Sequence, residues 1–213
     1  MRRTTEHGRA ASPRGFVRRL GEAGYGPEHG RVGALDLLAR SGLPVPEGFV
    51  LTAEGHREFL RMGERGARRL GEVLEREIRA ALLDLGARTV TVGWGWGARR
   101  GLGTIPAVVA AIREAWAPGR YDPAGGEGPT WPILVQRQSR PAYTGWTTTA
   151  DLRSGYPVRR DVPLHDLEPG QEGPSRLTRV AATVLEGPVR LGWGLEDGRW
   201  LLVSVEEEPG QQA

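Results

Sequence analysis

The residues best suited to chemistry lie in a glycine-rich segment, Gly93-Trp94-Gly95-Trp96-Gly97-Ala98-Arg99-Arg100-Gly101-Leu102-Gly103. Guanidinium groups such as those of Arg99 and Arg100 bind phosphate or carboxylate through a planar fork, and the flat faces of Trp94 and Trp96 can stack a base or another aromatic ligand. A plainer reading has the arginines solvated in a loop and the indoles covering a cleft. Arg31 is a further cation, set in Gly30-Arg31-Val32-Gly33. The run Glu206-Glu207-Glu208 is a poor metal site, because neighbours on a strand point to opposite faces. His7, His29, His56 and His165 include no pair at zinc-ligand spacing, so a metal is not expected. Of these, His29 adjoins the Gly30 turn, and His56 falls on a helix position expected to be exposed. All 29 basic residues are arginine and cysteine is absent. This removes Schiff-base lysine, the Walker lysine, thiolate metal ligation and thiol nucleophiles. No G-x-S-x-G elbow occurs, and the glycines match a dinucleotide fingerprint only loosely.

These residues need elements to position them. Leu35, Leu38 and Ala39 recur at helical spacing and stop at Ser41-Gly42. Leu43-Pro44-Val45-Pro46-Glu47-Gly48 cannot be helical, since each proline disfavours the α region for its predecessor, and Phe49–Leu51 then reads as a strand. Thr52 is placed to cap a helix carrying Phe59 and Leu60, and a longer helix puts Leu70, Val73, Leu74, Ile78, Ala81 and Leu82 on one face before Gly86. Arg88–Val92 alternates as a strand, and the glycine-rich segment after it reads as a loop. Thr104 and Pro106 open a helix with Val108, Val109, Ile112 and Trp116. Strands are expected near Ile133–Gln136 and Gly145–Thr149, a helix capped by Ser175, and a closing hairpin of Val189–Leu195 and Trp200–Val205 about Glu196-Asp197-Gly198.

The order of elements is mixed α and β. A chain of 213 residues, 38% hydrophobic and 26% charged, is long enough to bury a core without staples. Residues 1–20 hold six arginines against Glu6 alone, so they read as a flexible basic tail on a nearly neutral body. Residues 21–116 make an N-terminal lobe, the Pro/Gly-rich stretch 117–132 a linker, and 133–213 a second lobe with the closing hairpin. A second Pro/Gly/acid stretch occupies 157–174. No long apolar segment is present, so a membrane is not expected and the cytoplasm is the default compartment. Nucleic acid is not expected either, because the tail lacks interleaved aromatics.

Gly30-Arg31-Val32-Gly33-Ala34-Leu35, followed by Gly42-Leu43-Pro44-Val45-Pro46-Glu47-Gly48-Phe49-Val50-Leu51-Thr52, resembles the opening of the ATP-grasp, PEP/pyruvate-binding domain of the pyruvate phosphate dikinase and phosphoenolpyruvate synthase family. There a glycine-lysine-glycine turn starts a helix and G-L-P-V-P-x-G-F follows it. Val135-Gln136-Arg137, Thr144-Gly145, Thr149-Ala150-Asp151 and Gly155 are similar in register to the family's V-Q-R-M-V and S-G-V-x-F-T-x-D-P-x-T-G stretch. Trp193 looks like the tryptophan of its E-W-A strand. The resemblance spans most of residues 28–208, and the region after Arg88 is compressed.

The resemblance implies a two-lobed ATP-grasp-like α+β fold. It puts the family's phosphate-binding lysine at Arg31 and makes Gln136 a nucleotide-binding position, with Arg99 or Arg100 able to reach in. It also implies losses: the family's strand–loop arginine falls at Gly93, its metal-binding glutamate at Gly192, its glutamine at Ser204 and a further arginine at Glu206. Family membership would bring ATP and Mg²⁺. With two oxygen ligands gone and a cation replaced by an anion, no catalytic residue and no cofactor are expected. The implied function is a degenerate nucleotide-binding domain acting as a binding or regulatory module. Two alternatives stand beside it: a stand-alone phosphotransferase subunit working with a separate phosphohistidine protein, and a protein-interaction module using the tail and the indoles without nucleotide.

Overall fold

The computed structural model describes residues 15–62, 70–95, 97–117, 130–141, 143–149, 173–185 and 188–207. Trp96, most of the basic tail, most of the 117–132 linker, the 157–172 stretch, Ala150-Asp151, Gly155, His7, His165 and Glu208 lie outside them. The fold is mixed α+β, with two sheets antiparallel throughout. The larger contains β1 (Val17–Arg19), β2 (Gly48–Leu51), β3 (Val90–Trp94), β4 (Gly97–Leu102) and β5 (Ile133–Arg137), in the order β1-β2-β5-β3-β4. The smaller is a meander of β6 (Tyr143–Thr148), β7 (Val189–Glu196) and β8 (Arg199–Glu207). The helices are α1 (Gly30–Arg40), α2 (Ala53–Arg61), α3 (Glu72–Leu85), α4 (Ile105–Trp116) and α5 (Gly173–Val184).

Local signals set several boundaries. The Thr52 hydroxyl accepts from Gly55 N and that of Thr104 from Ala107 N, each at 3.4 Å, so α2 and α4 start at the expected caps. Gly86 ends α3 in the left-handed conformation, φ 59°. Asp197 and Gly198 both have positive φ, 51° and 73°, the backbone that a two-residue hairpin turn requires.

Alternation along β2 and β5 builds two cores. Phe49, Leu51, Ile133 and Val135 face α2, α3 and α4, where Phe59, Leu74, Ile78, Ile112 and Trp116 meet them. Val50 and Leu134 face the other way and join α1, α5 and the apolar side of the smaller sheet through Leu35, Leu38, Leu185, Leu191 and Trp193. Burial on both faces explains why these strands read as unbroken apolar runs.

Several expectations are corrected. The glycine-rich segment is not a loop: β3 and β4 pair through Trp94↔Gly97 and Gly93↔Ala98. Val17–Arg19, at the end of the basic stretch, forms an edge strand on β2, and β5, which follows the linker, pairs with β2 and β3 in the larger sheet. Helix α5 begins at Gly173, which places Ser175 within it instead of at its cap. On α3, Val73 is 48% exposed and Leu74 and Ile78 carry the burial.

His56 is buried, not exposed. Its ring stacks on Trp116 at 5.3 Å with planes 6° apart, and its Nδ1 accepts from Trp131 N at 3.0 Å. Burial pushes its pKa down to about 4 from 6.5. The unfolded chain therefore binds a proton that the folded one refuses, and this stability is complete above pH 6.5 and lost as pH falls toward 4. The unfolding midpoint should fall between pH 7 and pH 4. His56→Gln, which keeps an acceptor for Trp131, should flatten that fall, and an equally steep profile in the variant would assign it to other groups.

Candidate binding cleft between the sheets

Helix α1 is anchored before it presents its cation. Asp36, fully buried, accepts Gly21 N at 2.6 Å and Ala23 N at 3.3 Å on one oxygen and Tyr25 N at 3.0 Å on the other. The folded-back segment lays Gly26 O where a Cβ on Gly33 would be, so only glycine fits at 33. The Tyr25 hydroxyl then accepts Ala53 N at 2.7 Å, which ties this segment to the start of α2.

On this anchored turn Arg31 is 7% exposed and donates from Nη2 to Val203 O of β8 at 3.2 Å. Its Nε is buried without a hydrogen-bond partner. Burial lowers its pKa first, and the like charge of Arg100 lowers it further, while Glu206 acts the other way. Arg31 borders a cavity of about 300 Å³ between the two sheets, which Arg100, Gln136, Trp146, Gly192 and Ser204 also line.

Strand register explains which side chains arrive. Gln136 lies opposite Thr91 on the side of β5 that carries Leu134, and its Nε2 donates to Pro46 O at 3.1 Å, so the Pro-rich link is held to the sheet. Arg99 and Arg100 point to opposite faces of β4. Arg99 reaches Glu114 of α4 at 2.7 Å, away from the cavity, whereas Arg100 borders it. Gly93 is opposite Leu134, and a Cβ there would meet only ordinary contacts, Gly97 O at 3.8 Å and Leu134 O at 3.9 Å. In the smaller sheet Gly192 is opposite Ser204 and Trp146.

At one end Glu196 joins the sheets, accepting from Arg137 Nη2 at 3.2 Å, Ser139 Oγ at 3.1 Å and Arg140 N at 3.0 Å. These bonds, the Arg140 amide foremost, hold its carboxyl below the usual range. The sequence reading placed Glu196 only in a turn and did not single out Asp36 or Trp146.

No family model matches the chain, and no curated protein matches it in sequence. The chemistry of the cleft therefore rests on its own residues. The positions drawn from the dikinase resemblance at Arg31, Gln136, Gly192 and Ser204 border one cavity, together with Arg100. Glu206 is not a lining residue but lies near enough to Arg31 to be felt. Trp94 does not face the cleft: it is 6% exposed and packs in the first core. His29 pairs with Glu28 at 3.0 Å and lies edge-on to Tyr25, outside the cavity. None of the described lining residues is a carboxylate, and the described residues contain no group of three His, Cys, Asp or Glu able to hold a metal. No described helix is long and apolar enough to cross a membrane. The cleft thus combines positive charge with hydrogen-bonding groups, and its described lining residues include hydroxyls but no carboxylate.

Proposed function

We propose that this chain is a dikinase-type nucleotide-binding domain, ATP-grasp-like and two-lobed, that no longer transfers phosphoryl groups and serves as a binding or regulatory module. The observation that carries this reading is Arg31: a buried guanidinium, with Nε unpartnered and Arg100 beside it, is a cation stored where an anion would satisfy it. Phosphoryl transfer needs Mg²⁺ between the phosphates, and no carboxylate, the usual protein ligand for it, is among the described lining residues. The phosphotransferase-subunit alternative has no support at Gly192 and Ser204, where the resemblance would put two of its metal ligands.

Thermal unfolding with ATP or ADP, in EDTA and again in Mg²⁺, tests the proposal. The midpoint should rise equally in both, since a ligand at 100 times its dissociation constant stabilises by about 2.7 kcal/mol. No turnover of ATP should accompany it. A shift that requires Mg²⁺ would favour the phosphotransferase subunit, and no shift with any phosphate compound would leave the interaction-module reading.

A further inference from the structure

Trp146 on β6 stands opposite Gly192 on β7, and both border the cavity. A Cβ at position 192 would collide with Ser204 Oγ and come within 3.0 and 3.1 Å of Trp146 Cζ3 and Cη2. The indole edge therefore occupies the space that any side chain at 192 would need. Glycine at 192 and a small hydroxyl at 204 are what let the ring lie there. The Arg190 guanidinium carbon sits over the Trp146 ring, 4.4 Å from its centroid, a cation–π contact that orients the ring and covers one of its faces, so only the opposite face can take a ligand. The ring is half-buried, and it borders the same cavity as Arg31 and Arg100.

The corner where the resemblance puts a metal-binding glutamate is thus filled by an oriented aromatic surface. A π-face accepts a planar ring whatever its hydrogen-bond pattern, and the arginines accept an anionic group. A volume of about 300 Å³ is at the small end of ligand sites. The geometry points to Trp146 as a stacking platform for a small anion that carries a planar ring, taken up without a divalent cation. This inference rests on the anion-binding reading of Arg31 and adds the ring. The ring could belong to a nucleoside monophosphate or to an aryl phosphate, which share the same chemistry.

Calorimetric titration of the full chain with AMP, phenyl phosphate and ribose 5-phosphate, each in EDTA and in Mg²⁺, separates the outcomes. At least one ring-bearing phosphate should bind about tenfold or more tightly than ribose 5-phosphate, the scale of base–aromatic stacking. EDTA should leave that preference intact. Trp146→Leu should abolish the preference without weakening ribose 5-phosphate, and Trp146→Phe should restore part of it. Tighter AMP identifies a nucleotide site, and tighter phenyl phosphate an aryl one. Equal affinities for ringed and ringless phosphates overturn the platform while leaving the anion site standing, as does a preference that survives in Trp146→Leu. Binding only in Mg²⁺ overturns the cation-free claim, and no binding of any probe overturns both readings. If the leucine variant does not fold, the ligand comparison on the unaltered chain decides alone.

Discussion

Asp36→Ala should destabilise the fold by about 3–5 kcal/mol, the scale for leaving three backbone donors without an acceptor after partial relaxation. The Asp36 side chain is fully buried, and its two oxygens accept the amides of Gly21, Ala23 and Tyr25. Alanine would strand all three half-buried donors, and each unsatisfied donor costs about 1–3 kcal/mol before relaxation and entry of water reduce it. Asp36→Asn keeps the shape but puts an NH₂ where one oxygen accepted, so a donor faces a donor at Tyr25 or at the Gly21–Ala23 pair. It should cost less than alanine, yet well over 1 kcal/mol. The damage should spread along a defined route: the Gly21–Tyr25 segment loosens, Gly26 leaves Gly33, and the first turn of α1 no longer fixes Arg31. Urea midpoints give the stabilities, and anion affinity in the milder asparagine variant reads the positional effect. An alanine variant as stable as the parent would mean that the carboxylate does not organise this turn.

What was legible in the sequence is what neighbouring residues decide among themselves. Thr52 and Thr104 as caps and Gly86 as a stop act within a few residues and are found in their expected roles, while the turn expected at Glu196-Asp197-Gly198 is Asp197-Gly198, with Glu196 the last residue of β7. The β3–β4 hairpin was hidden because its glycines serve a distant purpose. Gly95 turns the chain at φ 44°, and a Cβ on Gly97 would come within 2.9 Å of Trp94 Nε1, so the absent side chain is room for an indole. His56 was misplaced for a related reason. Thr52, Gly55, His56 and Phe59 form the buried stripe of α2, which shows at i, i+3, i+4 and i+7 only if a neutral histidine counts as an apolar ring. At the cleft Arg31, Gln136, Gly192 and Ser204, singled out in the sequence only through the dikinase resemblance, come from separate elements that the fold brings to one cavity. Trp146 was not singled out, since its role depends on the cross-strand partner at 192, and register cannot be read from either strand alone.

Arg31→Met should weaken binding of a phosphorylated ligand by about 10²-fold or more while leaving the chain folded. A guanidinium that gives two charge-assisted hydrogen bonds to an anion contributes roughly 1.5–3 kcal/mol per bond, and 1.4 kcal/mol is tenfold in affinity. Folding should change far less, because two effects oppose each other. Methionine forfeits the hydrogen bond to Val203 O, but it also removes a buried positive charge held next to Arg100, and its length fills the space of the arginine stem. Arg31→Lys gives a sharper version of the same test. Lysine keeps the charge and is the residue that the dikinase resemblance puts here, yet its ammonium cannot hold Val203 O and an anion in the geometry of a planar fork. An affinity between those of the parent and the methionine variant is expected. Titration of each folded variant with ADP in EDTA measures it. Unchanged affinity in Arg31→Met would place the anion on the other lining cations, Arg100 and Arg137, and the stored charge at Arg31 would then have to be explained by its bond to β8.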